Sequence, residues 1–370
     1  ARHLKRQRHW PWTLNATATH DHKRGEDVRA RINILSEIPE EWRKAVGRWS
    51  LLNRGKRTLL EGEYAPDRND EYIFYQVLIG MWPPRTLNPD DFEEVIQRLI
   101  TYMHKATKEA KVHTSWVNPN QSYDEAIERF IQRTLSPSKS NRFLDSFLPF
   151  QARVAKMGVV NSLAQALLKI TSPGIPDFYQ GTELWDLSLV DPDNRRPVDF
   201  PLREKYLEEL EPLLDDASAL ESRDREKELR ALLDQWPDGR VKLYLTACGL
   251  RWRRAHPLLF LDGDYLPLQV EGNQSDHVVA FARHHEGKTS LTVAPRLVVP
   301  LMEPDLKWPV GPSLWEDTRI LIPNNLPLPK TLVDRITHRP VALGTHNDQR
   351  ALPMDQVFSI WPVALLGGEV

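Results

Sequence analysis

The chain has 370 residues, 41% of them hydrophobic and 27% charged, with a formal net charge of −2, which is ordinary globular composition with room for two or three domains. A near-neutral chain carries no field that would favour nucleic acid or an acidic membrane surface, and the basic opening of Arg2, Lys5, Arg6 and Arg8 reads as a solvated end. The lone Cys248 excludes an internal disulfide and a thiolate metal site, no apolar run reaches membrane-span length, and no signal-peptide pattern is present, so a cytoplasmic location is expected.

Trp12, Thr13, Leu14, Ala16, Thr17 and Thr19 form an apolar and β-branched run that predicts a short buried strand, ending at the pair His20-Asp21. Read by itself, such a pair is a helix cap beside a core histidine. A dense charged stretch follows, His22-Lys23-Arg24-Gly25-Glu26-Asp27, with Gly25 marking a loop. Helical spacing then appears in Val28, Ile32 and Leu35, and again in Trp42, Val46, Trp49 and Leu52. Residues 62–69 are polar and read as a loop; 72–82 are apolar and stop at Pro83-Pro84. The stripe Phe92, Val95, Ile96, Leu99, Ile100 and Met103 predicts a helix from Asp90. A capping box at 122–125 opens a third, carried by Ile127, Phe130 and Ile131, and 143–170 reads as one long helix bent near Pro149.

Farther on, 203–236 and the block Val241, Tyr244, Leu245 and Cys248 are helical in pattern. Beyond His256-Pro257 the character changes to β-like runs at 258–261, 265–270, 277–283 and 289–293, separated by Asp262-Gly263, Glu271-Gly272-Asn273 and Glu286-Gly287, the signature of an antiparallel β-domain. His284-His285 reads as a polar turn. No histidine or carboxylate cluster has metal-ligand spacing, so neither metal nor cofactor is expected.

A second motif lies at Pro173-Gly174-Ile175-Pro176-Asp177-Phe178-Tyr179-Gln180-Gly181-Thr182-Glu183-Leu184-Trp185-Asp186. With Thr19-His20-Asp21 it resembles the last two strands of the α-amylase superfamily barrel, where the seventh strand ends in His-Asp and the eighth leads through a Pro-Gly-x-Pro turn to Tyr-x-Gly-x-Glu. The longer runs Lys23-Arg24-x-Glu26-Asp27-Val28-Arg29-Ala30-Arg31 and Asp191-Pro192-Asp193-Asn194-Arg195-Arg196-Pro197-Val198-Asp199 are similar to one family within it, the maltooligosyltrehalose synthases. So is the junction Lys108-Glu109-Ala110-Lys111-Val112-His113-Thr114-Ser115-Trp116.

The resemblance implies an α/β plus all-β fold: the C-terminal part of a (β/α)8 barrel with a helical insertion, followed by an antiparallel β-sandwich. The expected segments are 1–38 for the seventh strand, 39–168 for the insertion and connecting helix, 169–255 for the eighth strand and following helices, and 256–370 for the β-domain. It assigns Asp21 as the carboxylate that stabilises the transition state, with His20 binding the same sugar. Lys23 and Arg24 either bind further glucose units or pair with Glu26 and Asp27 to order the loop. Tyr179, Gln180 and Glu183 fall at a sugar subsite, Arg195 and Arg196 lock the turn before them, and Trp82 and Trp116 are stacking platforms unless they pack in the core. A retaining glycosidase also needs a nucleophile and an acid/base. In this superfamily those come from the fourth and fifth strands, which the sequence lacks.

The chain is therefore expected to be a C-terminal fragment, inactive alone, whose substrate is a maltooligosaccharide and whose partner is the N-terminal remainder. The family's reaction turns the reducing-end α-1,4 bond into an α,α-1,1 bond, the first step towards trehalose. Two other readings stand beside it, another glucan hydrolase or transferase of the superfamily and a non-catalytic carbohydrate-binding piece.

Overall fold

A computed structural model of the chain describes residues 2–137, 140–215 and 222–369. The chain divides into two units, one made of 20–158 and 186–196, the other of 1–19, 159–185 and 197–370.

The first unit is helical, with helices at Glu26–Ile34, Pro39–Asn53, Arg68–Met81, Pro89–Ala110 and Gln121–Leu135, and the opening part of Arg142–Thr171. Its core is organised on fully buried Trp49, whose ring lies 5.5 Å from Tyr75, 5.8 Å from Phe143, 5.5 Å from Phe147 and 5.6 Å from Phe150. Edge-on packing of this kind adds to the area buried, and the indole N–H is satisfied by Ser146 Oγ at 3.1 Å. Arg31, also buried, donates to the carbonyls of Gly80 (3.0 Å) and Trp82 (2.6 Å), the unpaired acceptors at the end of Arg68–Met81.

Two expectations for this unit are corrected. The stretch 62–69 is not simply a loop: Thr58–Leu60 and Glu63–Ala65 form a hairpin, turned by Glu61 (φ 50°) and Gly62 (φ 93°), and the next helix starts at Arg68 behind the N-cap Asp67. The box at 122–125 does not form either, because Asn120 comes first and accepts from Tyr123 N at 3.1 Å, leaving Ser122 inside the helix. A full capping box exists instead at Asn88 and Asp91, at the head of the long helix Pro89–Ala110.

In the second unit, Leu14–Ala16 pairs in parallel with Ile175–Asp177, placing Leu14 against Ile175 and Ala16 against Asp177. The strand expected to be buried is not: Leu14 is 66% and Ile175 37% exposed, since a pair of strands has neither further neighbours nor a covered face. The closing part of Arg142–Thr171 joins Phe200–Leu214, Ser222–Asp234 and Arg240–Ala255 around a leucine-rich core that includes Leu163, Leu167, Leu210, Leu229 and Leu245. The helical pattern at 203–236 is thus two helices, with 216–221 outside the described residues.

The rest is mostly antiparallel sheet. Six strands follow in the order Pro340–Ala342, Thr331–Asp334, Ala364–Glu369, Lys288–Pro295, Val278–His285, Asp264–Pro267; four more run Gly344–His346, Gln349–Pro353, Arg319–Ile322, Gln269–Glu271. Residues of both sheets, among them Ala282, Leu291, Val293, Ile320, Ile322, Leu352 and Leu366, share one buried cluster. Three readings of this region change. The run 258–261 is a short helix, Pro257–Leu261, because proline suits a first helical position. The run 265–270 is two strands in different sheets: Asp264–Pro267 pairs with Val278–His285, and after Leu268 the strand Gln269–Glu271 pairs with Arg319–Ile322. His284 and His285 end a strand, and Glu286 (φ 45°) and Gly287 (φ 83°) make the turn.

Candidate active site

The helical unit holds the His20-Asp21 pair together with the stretch 186–196. His20 and Asp21 stand on an exposed loop, with side chains 59% and 84% accessible and His20 Nε2 3.2 Å from Asp21 Oδ2. Asp21 does not cap the following helix; the N-cap is Gly25, without a side-chain cap. Buried Asn194 donates its amide to the carbonyl of His20 at 2.8 Å, which fixes the loop from below. Four residues on, the same segment is laced to Asp186: Gly25 N donates to Ser188 O (2.7 Å), Glu26 N to Asp186 Oδ2 (3.2 Å) and Asp186 N to Asp27 Oδ2 (2.6 Å). An added Cβ at Gly25 would fall 2.6 Å from Asp186 Oδ2 and 2.7 Å from its carbonyl oxygen, so glycine is required there for space.

Lys23 and Arg24 turn away from Glu26 and Asp27, which removes the local pairing considered from sequence. Lys23 Nζ bonds Glu109 Oε2 at 2.5 Å; Arg24 donates to Gln76 Oε1 at 3.3 Å, with its guanidinium 5.9 Å from the Tyr102 ring centroid. Both partners lie on helices far along the chain, so the loop is held against the end of Pro89–Ala110 and the middle of Arg68–Met81. Beside them His22 is held below its ordinary value by partial burial and the charge of Arg29, against the pull of Asp186 and Asp21, which keeps it neutral at neutral pH.

The segment carrying Asn194 is locked in turn. Asp193 accepts from Arg98 Nε (2.8 Å) and Nη2 (3.0 Å) and from Leu189 N (2.6 Å). Burial pushes its carboxyl up, but the bonds and charge of Arg98, with Arg196 and the Leu189 N–H, outweigh this and hold it low. Arg195 pairs with Asp191 at 2.8 Å and Arg196 with Asp193 and Glu94, the locking role read for both from sequence.

Tyr179, Gln180 and Glu183 belong to the other unit. Thr182 donates its N (3.1 Å) and Oγ1 (2.7 Å) to Tyr179 O, and Arg203 donates to Glu183 Oε2 (3.0 Å), Gly181 O (2.8 Å) and Asp199 O (2.9 Å). Glu183 therefore spends one oxygen on ordering its loop, while Gln180 is exposed. Of the two tryptophans, Trp82 is core, packed on Phe92 and Phe147; Trp116 is 61% exposed above Lys108.

Sequence reasoning missed Asn194 and Asp186 as supports, because among 51 Asp and Glu residues a single carboxylate, like a single amide, carries no positional signal until its partners are known. It also missed a convergence of Asp67, Asp70 and His113, whose ligand atoms lie within 4.8 Å of one another although His113 is distant in sequence from the two aspartates. Its donors are already used: His113 Nε2 bonds Asp67 Oδ2 (2.8 Å), Tyr123 donates to Asp70 Oδ2 (2.5 Å) and stacks on the His113 ring at 4.5 Å. Burial raises the Asp70 carboxyl despite the Tyr123 bond, which suits a site that shares protons within itself.

With this geometry in view, the chain was compared with known proteins. No family model matches it. A curated protein of Mycobacterium tuberculosis named maltooligosyl trehalose synthase is 36% identical over 278 residues, 75% of this chain and 30% of that one. The solved structure of maltooligosyltrehalose synthase from Arthrobacter ramosus superposes over 100% of the chain with a TM-score of 0.75 at 29% identity. The chain is a relative of the maltooligosyltrehalose synthases. A third, from Sulfolobus tokodaii and titled a hypothetical maltooligosyl trehalose synthase, gives a TM-score of 0.65 at 31% identity over 96% of the chain. The chain spans only part of these synthases, 40% of the Arthrobacter protein and 38% of the Sulfolobus one. Among the described residues no helix is long and apolar enough to cross a membrane.

Proposed function

We propose that the chain is the C-terminal part of an enzyme that converts the reducing-end α-1,4-glucosidic bond of a maltooligosaccharide into an α,α-1,1 bond by retaining transglycosylation. The observation that carries the reading is the His20-Asp21 loop, an exposed acid–imidazole pair whose backbone is pinned by Asn194 and whose continuation is fixed on Asp186. A carboxylate held in this way accepts hydrogen bonds from ring hydroxyls and favours a cationic, distorted sugar over the ground state. His20 donates to a hydroxyl of the same residue. Lys23, Arg24, Tyr179, Gln180 and Glu183 complete the substrate-binding set carried by this chain.

The nucleophile and the acid/base come from the remainder of the enzyme, which is also the chain's partner. On this reading Leu14–Ala16 and Ile175–Asp177 are two adjacent strands of a (β/α)8 barrel, and the other six cover exposed Leu14 and Ile175. The two antiparallel sheets form a β-sandwich behind it. The helical unit shields the glycosyl-enzyme from water while the freed glucose turns over, which is what separates isomerisation from hydrolysis. The enzyme acts in the cytoplasm.

The test is product analysis with maltopentaose. A polypeptide joining this chain to the segment its relatives carry should consume reducing ends without releasing glucose, and this chain alone should turn over nothing. Release of glucose or maltose as the main product would instead make it a superfamily hydrolase.

A further inference from the structure

The helical unit contains a concavity of about 660 Å³, lined by Leu51, Leu52, Lys56, Arg133, Ser136, Ser140, Asn141, Arg142 and Phe143. Its charge is one-sided. Three cations line it and no carboxylate does. Several other arginines of this unit face carboxylates: Arg57 lies 3.8 Å from Glu71, Arg98 holds Asp193 at 2.8 Å, Arg129 holds Glu125 at 3.3 Å and Arg153 holds Glu41 at 2.6 Å. Lys56, Arg133 and Arg142 have no carboxylate within ion-pair distance among the described residues. The Lys56 ammonium is half-buried, near the Phe143 ring at 5.9 Å, and burial together with the charge of Arg133 pushes it below the ordinary lysine range.

Asn141 closes the floor, donating to the carbonyls of Thr134 (2.9 Å) and Ser136 (2.9 Å) and accepting from Phe143 N (3.1 Å) and Leu144 N (3.2 Å), so that the helix Arg142–Thr171 starts at the cavity wall. Ser136 and Ser140 add hydroxyls at the rim, and Leu51, Leu52 and Phe143 supply an apolar side. Burial beside Arg133 disfavours the charged form of Lys56, and a bound anion offsets that cost.

We infer that this cavity is a binding site for a small organic phosphate, with Arg133, Arg142 and Lys56 on the phosphate and the Leu51, Leu52 and Phe143 side against its organic part. A guanidinium pair suits the phosphate oxygens through charge-assisted, fork-shaped hydrogen bonds. The volume lies in the range of small-molecule sites and far exceeds that of a bare ion. The site uses none of the residues assigned to glucan chemistry, so it stands or falls separately from the proposed activity.

The experiment is titration calorimetry on this chain at fixed ionic strength, with glucose 6-phosphate and inorganic phosphate as probes. Saturable one-to-one binding is expected, tighter for the ester. Both guanidinium groups are exposed, so Arg133→Gln and Arg142→Gln should keep the helical circular dichroism while each weakens binding about tenfold, and Arg133→Lys, which keeps the charge without the fork, should fall between parent and Gln. Equal affinity for the two probes would overturn the organic-phosphate assignment. No saturable binding at roughly 10 mM, a concentration near the weak limit of useful affinity, or unchanged affinity in the double Gln variant, would overturn the site.

Discussion

Replacing Gly25 by Ala should unseat the loop that carries His20 and Asp21. The backbone at Gly25 (φ −55°, ψ 164°) is open to any residue, so the cost is one of space. The new Cβ would lie 2.6 Å from Asp186 Oδ2, 2.7 Å from Asp186 Cγ and 2.7 Å from Asp186 O, and a main-chain oxygen cannot swing aside as a side-chain tip can. Separation of the two segments puts at risk the bonds Gly25 N to Ser188 O, Glu26 N to Asp186 Oδ2 and Asp186 N to Asp27 Oδ2. At about 1 kcal/mol for each such bond, the local opening free energy falls by about 3 kcal/mol, roughly a hundredfold in amide protection. Hydrogen exchange read by mass spectrometry on a peptide spanning 184–190 measures it. Protection within about twofold of the parent would refute the claim that this glycine is kept for the close approach.

The remaining tests probe other parts of the structure. Gly47, inside the helix Pro39–Asn53, has nothing within 4 Å of a built Cβ, so Gly47→Ala should raise stability to urea by about 0.5–1 kcal/mol. Asp334 is fully buried, and its carboxyl is raised from 3.8 to about 6 by burial, which outweighs the bonds from Thr337 Oγ1 and the Leu365 and Ile336 amides. The folded state then holds this proton more tightly than the unfolded chain does. Its contribution is complete below about pH 4 and is lost as pH rises through about 6, on the order of 3 kcal/mol at about 1.4 kcal/mol per pH unit. Asp334→Asn should flatten the fall in stability across that window, as read by urea midpoints at several pH values; an unchanged slope would contradict the assignment. Arg203→Met removes donors to Glu183, Gly181 and Asp199, and should speed amide exchange across 179–183 about tenfold while leaving 184–190 unchanged.

What was legible at the candidate site is local: Arg195 and Arg196, placed four and three residues after Asp191 and Asp193, find those partners through short covalent distance. The parallel pairing of Leu14–Ala16 with Ile175–Asp177 agrees with what the resemblance implied for neighbouring strands. What could not be read depends on partners distant in sequence. Lys23 bonds Glu109 and Arg24 bonds Gln76, whereas adjacent Glu26 and Asp27 offered a local pairing that the folded loop does not use. Burial of the strand at Leu14 was overcalled because an apolar, β-branched run gives strand propensity without saying what covers it. At Pro257 the preference of proline for a first helical position outweighed the apolar pattern, giving a helix start where a strand was read.

The measurement that bears most directly on the account is turnover of maltopentaose by the enzyme that joins this chain to the remaining segment, with Asp21 and with Asp21→Asn. The substitution keeps the shape of the side chain and removes its charge, and Asn194 holds the loop through the His20 carbonyl in either case. The expected result is a loss of kcat on the order of 10³ with amide protection of the loop unchanged. Turnover close to that of the parent enzyme, with the loop intact, would contradict the assignment of Asp21 as the carboxylate that stabilises the transition state.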